Sequence, residues 1–228
     1  MISKEEQQIN GYDNSFRQTE SDSEQNAADT TIQYYEEHAE EFTTNTINAD
    51  MASIRSRFLV YLPKGCRILD FGCGTGRDSK AFQELGYDVT AIDGSEALCG
   101  IAQSLTGLPV RCLDFRDYTL EEGEVYGGIW ACASLLHLKK DELLPVMKEL
   151  SQALIPGGVF YVSFKYGTYE GERNGRHFTD FTVEEFREFI KSIPELSVAE
   201  YWITGDVRPG RGDERWLNIV LQRTMIYK

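Results

Sequence analysis

Apolar positions along this chain follow different rhythms in different stretches, and those rhythms divide it into segments. Met1 to Ala28 has none: it is polar and acidic, rich in Gln, Ser, Asp and Asn, with Ile9, Tyr12 and Phe16 scattered through it. Such a segment buries too little apolar surface to offset its ordering and is expected to be a flexible leader. Residues 29 to 228 read as one domain. Thr31 to Phe42 has helical spacing. A second helix is expected around Ala49 to Leu62, where Met51, Ile54, Phe58 and Leu62 share the side that packs on a sheet, with Asp50 as initiator. Pro63-Lys64-Gly65 then turns the chain.

Beyond that turn, short apolar runs alternate with helical patterns, the rhythm of an α/β sheet. The runs predict strands near Arg67 to Phe71, Asp88 to Asp93, Val110 to Leu113, Gly127 to Cys132 and Val159 to Phe164. Thr182 to Ile190 is helical again, with Phe181, Phe186, Phe189 and Ile190 giving it an apolar side. Ser197 to Thr204 and Trp216 to Gln222 read as two further strands, joined by the Gly- and Arg-rich segment Gly205 to Arg215.

Candidate chemistry concentrates where the first strand ends. Ile68 to Asp78, ILDFGCGTGRD, runs from an apolar strand through Gly72, Gly74 and Gly76 into an amphipathic helix. Glycines there let the backbone turn sharply and approach a ligand that a Cβ would push away. Seventeen residues beyond Gly76 the second strand ends in Asp93, a carboxylate placed to accept both hydroxyls of a ribose. Strand, glycine turn, helix, strand and acid in this order predict an adenosyl-cofactor site. Gly76 follows Gly74 by two residues rather than the three of a dinucleotide fingerprint, which disfavours a reductase.

Asp70 to Gly76, DFGCGTG, resembles the glycine-rich motif of class I S-adenosylmethionine (SAM)-dependent methyltransferases. The likeness continues in order through GYDVTAIDGSEAL (Gly86 to Leu98), LDF (Leu113 to Phe115), GGIWACASLLHL (Gly127 to Leu138) and LSQALIPGGVFYVSF (Leu150 to Phe164). It covers Tyr34 to Arg223 and, within the superfamily, is most similar to the TehB-like small-molecule enzymes. The resemblance implies a Rossmann-like class I methyltransferase fold. Its α/β architecture would have a seven-stranded, mostly parallel sheet of order 3-2-1-4-5-7-6, an antiparallel final strand and an N-terminal helical lid.

The same resemblance implies SAM as cofactor and S-adenosylhomocysteine (SAH) as product. By position, Asp70, Gly72, Gly74, Gly76 and Arg77 would border the methionyl part, and Asp93 with Gly94 and Ser95 the ribose. Asp114 and Phe115 would border adenine and Ala131 the end of the fourth strand, while Tyr34, or Tyr35 beside it, would cover the cofactor.

Ligands of an open α/β sheet collect at the carboxyl ends of the strands. Tyr169, Arg173, Arg176 and Arg208 fall in segments expected there, and guanidinium groups present rigid forks to carboxylate or phosphate. His177, Glu170 and His137 are the candidate catalytic groups, able to deprotonate or orient a nucleophile. A base is optional, because an already activated methyl group mainly requires a nucleophile held in line with it. The expected function is methyl transfer from SAM to a small polar acceptor, which can be anionic. A nucleic-acid or protein methyltransferase working through a partner, and a non-catalytic SAM-binding regulator, remain open alternatives.

Composition narrows the partners. At 228 residues and 41% hydrophobic content the chain can build one substantial core. No apolar run approaches the ~18 to 20 residues that cross a bilayer, and the N-terminus lacks a basic-then-apolar leader, so no membrane partner and a cytoplasmic location are expected. Five cysteines form no CxxC, and three scattered histidines suggest no metal site. Residues 1 to 50 hold twelve Asp or Glu against Lys4 and Arg17, leaving −4 of the net −14 for the rest. That charge disfavours a nucleic-acid partner. A monomer or homodimer is expected.

Overall fold

Residues 30–208, 210–211 and 213–224 are described here from a computed structural model. The leader expected over residues 1 to 28 lies outside them. Residues 30–37 are helical, followed by α1 (Ala39–Thr46) and α2 (Ala52–Leu59). The sheet region then runs β1 (Arg67–Phe71), α3 (Arg77–Glu84), β2 (Asp88–Asp93), α4 (Glu96–Thr106), β3 (Val110–Cys112), β4 (Tyr126–Ala131), α5 (Lys140–Ala153) and β5 (Leu154–Lys165). A two-stranded hairpin, β6 (Glu170–Arg173) and β7 (Arg176–Thr179), precedes α6 (Val183–Ile190), β8 (Leu196–Gly205) and β9 (Arg215–Arg223).

The main sheet has the order β3-β2-β1-β4-β5-β9-β8. β9 runs antiparallel between β5 and β8, and the remaining neighbours are parallel. This is the expected 3-2-1-4-5-7-6 order with its antiparallel final strand. β4 is buried along its whole length because helices cover both faces of the sheet, which is why the central strands read as unbroken apolar runs. On one face Met51, Ile54, Phe58 and Leu62 pack against Ile68, Phe82, Trp130 and Tyr161, so the predicted apolar side of the second helix is its buried side. On the other face Leu143, Met147 and Leu150 of α5 meet Phe160, Phe164 and Phe186.

Two local features depart from expectation. The first helix is not continuous: His38 has φ −117° and ψ 18°, and its Nδ1 reaches the Tyr34 carbonyl at 2.8 Å, dividing residues 30–37 from α1. The segment holding Arg173 and Arg176, where no strands were expected, is the β6–β7 hairpin. Asn174 (φ 50°) and Gly175 (φ 75°) both take left-handed conformations, the requirement of a two-residue hairpin turn, and they pair Arg173 directly with Arg176.

Candidate cofactor and acceptor site

A cavity of about 540 Å³ opens along the carboxyl ends of the strands, within the size range of small-molecule sites. Its lining includes the glycine turn, Asp93, Gly94, Ser95, Leu98, Asp114 and Phe115, together with residues of the β6–β7 hairpin and the β8–β9 connection, and Tyr35, Ser134 and His137. A Cβ on Gly72 would fall 2.2 Å from the Ser134 Cβ, so only glycine fits where the turn passes the end of β4.

Asp93 is buried and organises its part of the cavity. Its Oδ2 accepts from the Gly74 amide at 2.7 Å and its Oδ1 from the Ser95 amide at 3.0 Å. Burial raises its pKa even so, with the two amides acting in the opposite direction. Ser95 then caps α4 by accepting from Leu98 N, placing that helix start beside the acid. Asp70, at the end of β1, accepts from Ser79 Oγ at 2.6 Å. Its own burial, helped by the charges of Asp78 and Asp93, pushes the Asp70 carboxyl up to about 7. Asp114 is paired with Arg116 at 2.7 Å; burial acts against ionisation, but the Arg116 hydrogen bonds hold the carboxyl below its ordinary value.

Tyr35 and His137 join the N-terminal helix to the segment after β4. The Tyr35 hydroxyl lies 2.8 Å from His137 Nε2, and His137 Nδ1 lies 2.7 Å from the His177 carbonyl. A carbonyl only accepts, so Nδ1 carries the hydrogen and Nε2 accepts from Tyr35. Burial lowers the His137 pKa to about 3, which keeps the ring neutral. Further along, Arg173 pairs with Asp180 and Arg208 with Asp206, each at 2.5 Å. Lys165 pairs with Glu214, its ammonium 4.5 Å from the Trp216 ring. Burial lowers the Lys165 pKa to about 8, while Asp206 pulls it upward.

Of the residues expected at the cofactor, Asp70, Gly72, Gly74, Arg77, Asp93, Gly94, Ser95, Asp114 and Phe115 line the cavity. Tyr34, Gly76 and Ala131 do not. Tyr35 takes the lining position while Tyr34 stacks on His38 at 4.2 Å. Gly76 faces α4, where a Cβ would meet Ala102 Cα at 3.0 Å, so its role is packing. Ala131 gives way to Cys132 and Ala133.

Among the expected acceptor residues Arg173, Arg176, Arg208 and His137 line the cavity, whereas Tyr169, Glu170 and His177 stand outside it. Tyr169 is exposed and donates to the Glu172 carbonyl. Glu170 is tied to the Lys140 amide and ammonium. His177 Nε2 is held at 3.1 Å by Thr179 Oγ1. Neither Glu170 nor His177 is therefore in position to take a proton in the cavity, and His137 has both nitrogens engaged. Ser134 and Trp216 line the site too, and Phe42, which the sequence did not point to, is brought there by the tertiary fold.

Comparison with known proteins adds to the geometry. Residues 68–158 match the family described as Methyltransferase domain. The match falls on the sheet, glycine turn and acid described above, and the sheet order is that of the Rossmann-like class I methyltransferase fold. YqeM of Bacillus subtilis (strain 168) is 36% identical over 103 residues, 43% of this chain and 42% of its own length. The ubiquinone biosynthesis O-methyltransferase of Xanthomonas campestris pv. campestris (strain B100) is 30% identical over 124 residues, 52% of this chain and 49% of its own. The chain thus spans about half the length of the curated relatives it matches. Among solved structures, the 1,6-didemethyltoxoflavin-N1-methyltransferase of Burkholderia thailandensis, with 1,6-didemethyltoxoflavin and SAH bound, has a TM-score of 0.65. It is 21% identical, the match covering 85% of each chain, and demonstrates the shared fold.

Proposed function

We propose that this methyltransferase domain transfers a methyl group from SAM to a small polar acceptor, in keeping with a TehB-like small-molecule enzyme. The observation that carries the reading is one cavity whose lining includes both the glycine turn with Asp93 and the arginine-bearing hairpin. It provides adjoining places for a cofactor and for a second, smaller molecule. SAM, when bound, supplies an activated methyl on sulfur. The residues present fit it. Asp93 can accept ribose hydroxyls while its amide contacts hold the turn, Asp70 can receive an ammonium, and Phe115 offers a flat apolar surface to adenine.

The protein's own contribution is orientation and exclusion of water. Tyr35, fixed by His137, closes the N-terminal helix over the cavity, and Phe42 stands 3.3 Å from a Cβ placed on Gly74. No general base is assigned to Glu170, His177 or His137, which suits an acceptor that needs little deprotonation. The net charge of −14 and a cavity of about 540 Å³ favour a small molecule over nucleic acid. Among the described residues no helix is long and apolar enough to cross a membrane. A single domain over residues 29 to 228, acting as a monomer or homodimer, completes the reading. Calorimetry tests it: SAM and SAH bind at micromolar affinity and NAD does not, whereas tight NAD binding without SAH binding would defeat the proposal.

A further inference from the structure

The cations lining the cavity are not equivalent. Among the described residues Arg77, Arg173, Arg208, Arg211 and Lys165 each have a carboxylate within 4.0 Å. Arg215, which is exposed, and Arg176 have none; Arg176 alone of these two is half-buried, and its Nε–H is fully buried without a hydrogen-bond partner. Its guanidinium carbon lies 4.2 Å from the centre of the Tyr34 ring, 5.3 Å from Phe178 and 5.5 Å from Tyr35. Among the described residues its hydrogen bond to a side chain runs from Nη1 to the Tyr35 hydroxyl at 3.3 Å. The aromatic rings hold the flat cation in place without neutralising it. A half-buried guanidinium without a countercharge and with an unmet donor is costly to keep, and an arriving anion supplies the missing charge.

We propose that Arg176 recognises a carboxylate on the methyl acceptor, so that this enzyme acts on a small carboxylic acid. The inference rests on the methyltransferase reading for the word acceptor, but not for the anion site itself. A planar carboxylate matches the planar fork of a guanidinium. A dianionic phosphate is less well suited, because Asp93, Asp180 and Asp206 line the same cavity. Arg176 also donates to the hydroxyl that His137 fixes, so the bound acid sits beside Tyr35, where the cofactor and acceptor parts of the cavity adjoin. Arg173, its partner across the hairpin, is already committed to Asp180 and does not compete.

The test uses the full chain, saturated with SAH, and titrates it with benzoate against benzamide, acetate against acetamide, and inorganic phosphate. Calorimetry gives the affinities, and the ¹⁵N-labelled Nε–Hε signal of Arg176, assigned by its loss in Arg176→Lys, locates the binding. At least one carboxylate is expected to bind about tenfold or more tighter than its amide, as loss of a charge-assisted hydrogen bond implies, and to move that signal. Arg176→Gln should abolish the preference and Arg176→Lys restore part of it, with SAH affinity and melting temperature retained in both. Equal affinity for acid and amide, an unmoved Nε–Hε signal, or tighter binding of phosphate than of both carboxylates overturns the proposal. So does a matching loss of SAH affinity in Arg176→Gln, which would give the charge to the cofactor. If the wild type fails to bind SAH, the cofactor reading falls on its own. The acid-against-amide comparison, run on the free protein, then decides Arg176 separately.

Discussion

Replacing Asp70 by Asn isolates a cavity acid whose ionisation changes near neutrality. Burial, assisted by Asp78 and Asp93, lifts its carboxyl from 3.8 to about 7 in the fold. The folded protein therefore binds this proton more tightly than the unfolded chain does. Stability from this group is fullest below pH 4, declines as pH rises between about 4 and 7, and stays low above that window. A rise of that size is worth about 4 kcal/mol at most. Asp70→Asn should thus leave stability at pH 4 nearly unchanged and raise it at pH 8, by an amount approaching that ceiling, in urea unfolding followed by circular dichroism.

Cofactor binding should show the opposite benefit. If the ionised carboxylate receives the ammonium of SAH, a pKa of about 7 leaves roughly a tenth of the molecules competent at pH 6 and nine-tenths at pH 8. SAH affinity should then rise about tenfold across that interval, or ~1.4 kcal/mol, and lose this dependence in Asp70→Asn. A stability gain independent of pH, together with flat SAH binding in the wild type, would refute the reasoning.

Asp93→Ala should weaken SAH binding by ~1 to 3 kcal/mol through lost hydrogen bonds, and unchanged affinity in a folded variant would remove Asp93 from the site. Tyr35→Phe strands His137 Nε2 without its donor, so denaturant unfolding should show a loss of ~1 to 2 kcal/mol; wild-type stability would mean that the link does not hold the N-terminal helix. Gly76→Ala forces a side chain into φ 80° and against Ala102. A loss of ~1 to 3 kcal/mol is expected, and none at all would contradict the packing role given to Gly76.

Much of the fold was legible because the central strands are covered on both faces and so leave continuous apolar runs. Arg67–Phe71 and Asp88–Asp93 coincide with their expected spans, and the face of α2 bearing Ile54 and Phe58 is the buried one. The β6–β7 hairpin was missed even though Asn174-Gly175 is a strong two-residue turn signal, since its short strands lack an alternating apolar pattern. Gly76 was legible as a glycine that must stay small, but whether ligand or α4 demands this depends on where Ala102 comes to rest. Which of the adjacent Tyr34 and Tyr35 faces the cavity depends on how residues 30–37 dock, and residue spacing does not encode that. The histidines are the plainest case. His137 and His177 have suitable chemistry in sequence, yet one is neutralised by burial and the other is held by Thr179.

The most direct test of the central claim is the fate of a labelled methyl group. Purified protein is incubated with methyl-labelled SAM and a cell extract separated by size into small molecules and macromolecules, and label and SAH are followed by mass spectrometry. The account predicts label entering the small-molecule fraction with SAH released in equal amount, and its abolition in a folded Asp93→Ala variant tested below saturating SAM. Label confined to nucleic acid or protein, or SAM bound but left intact in every fraction, would contradict it.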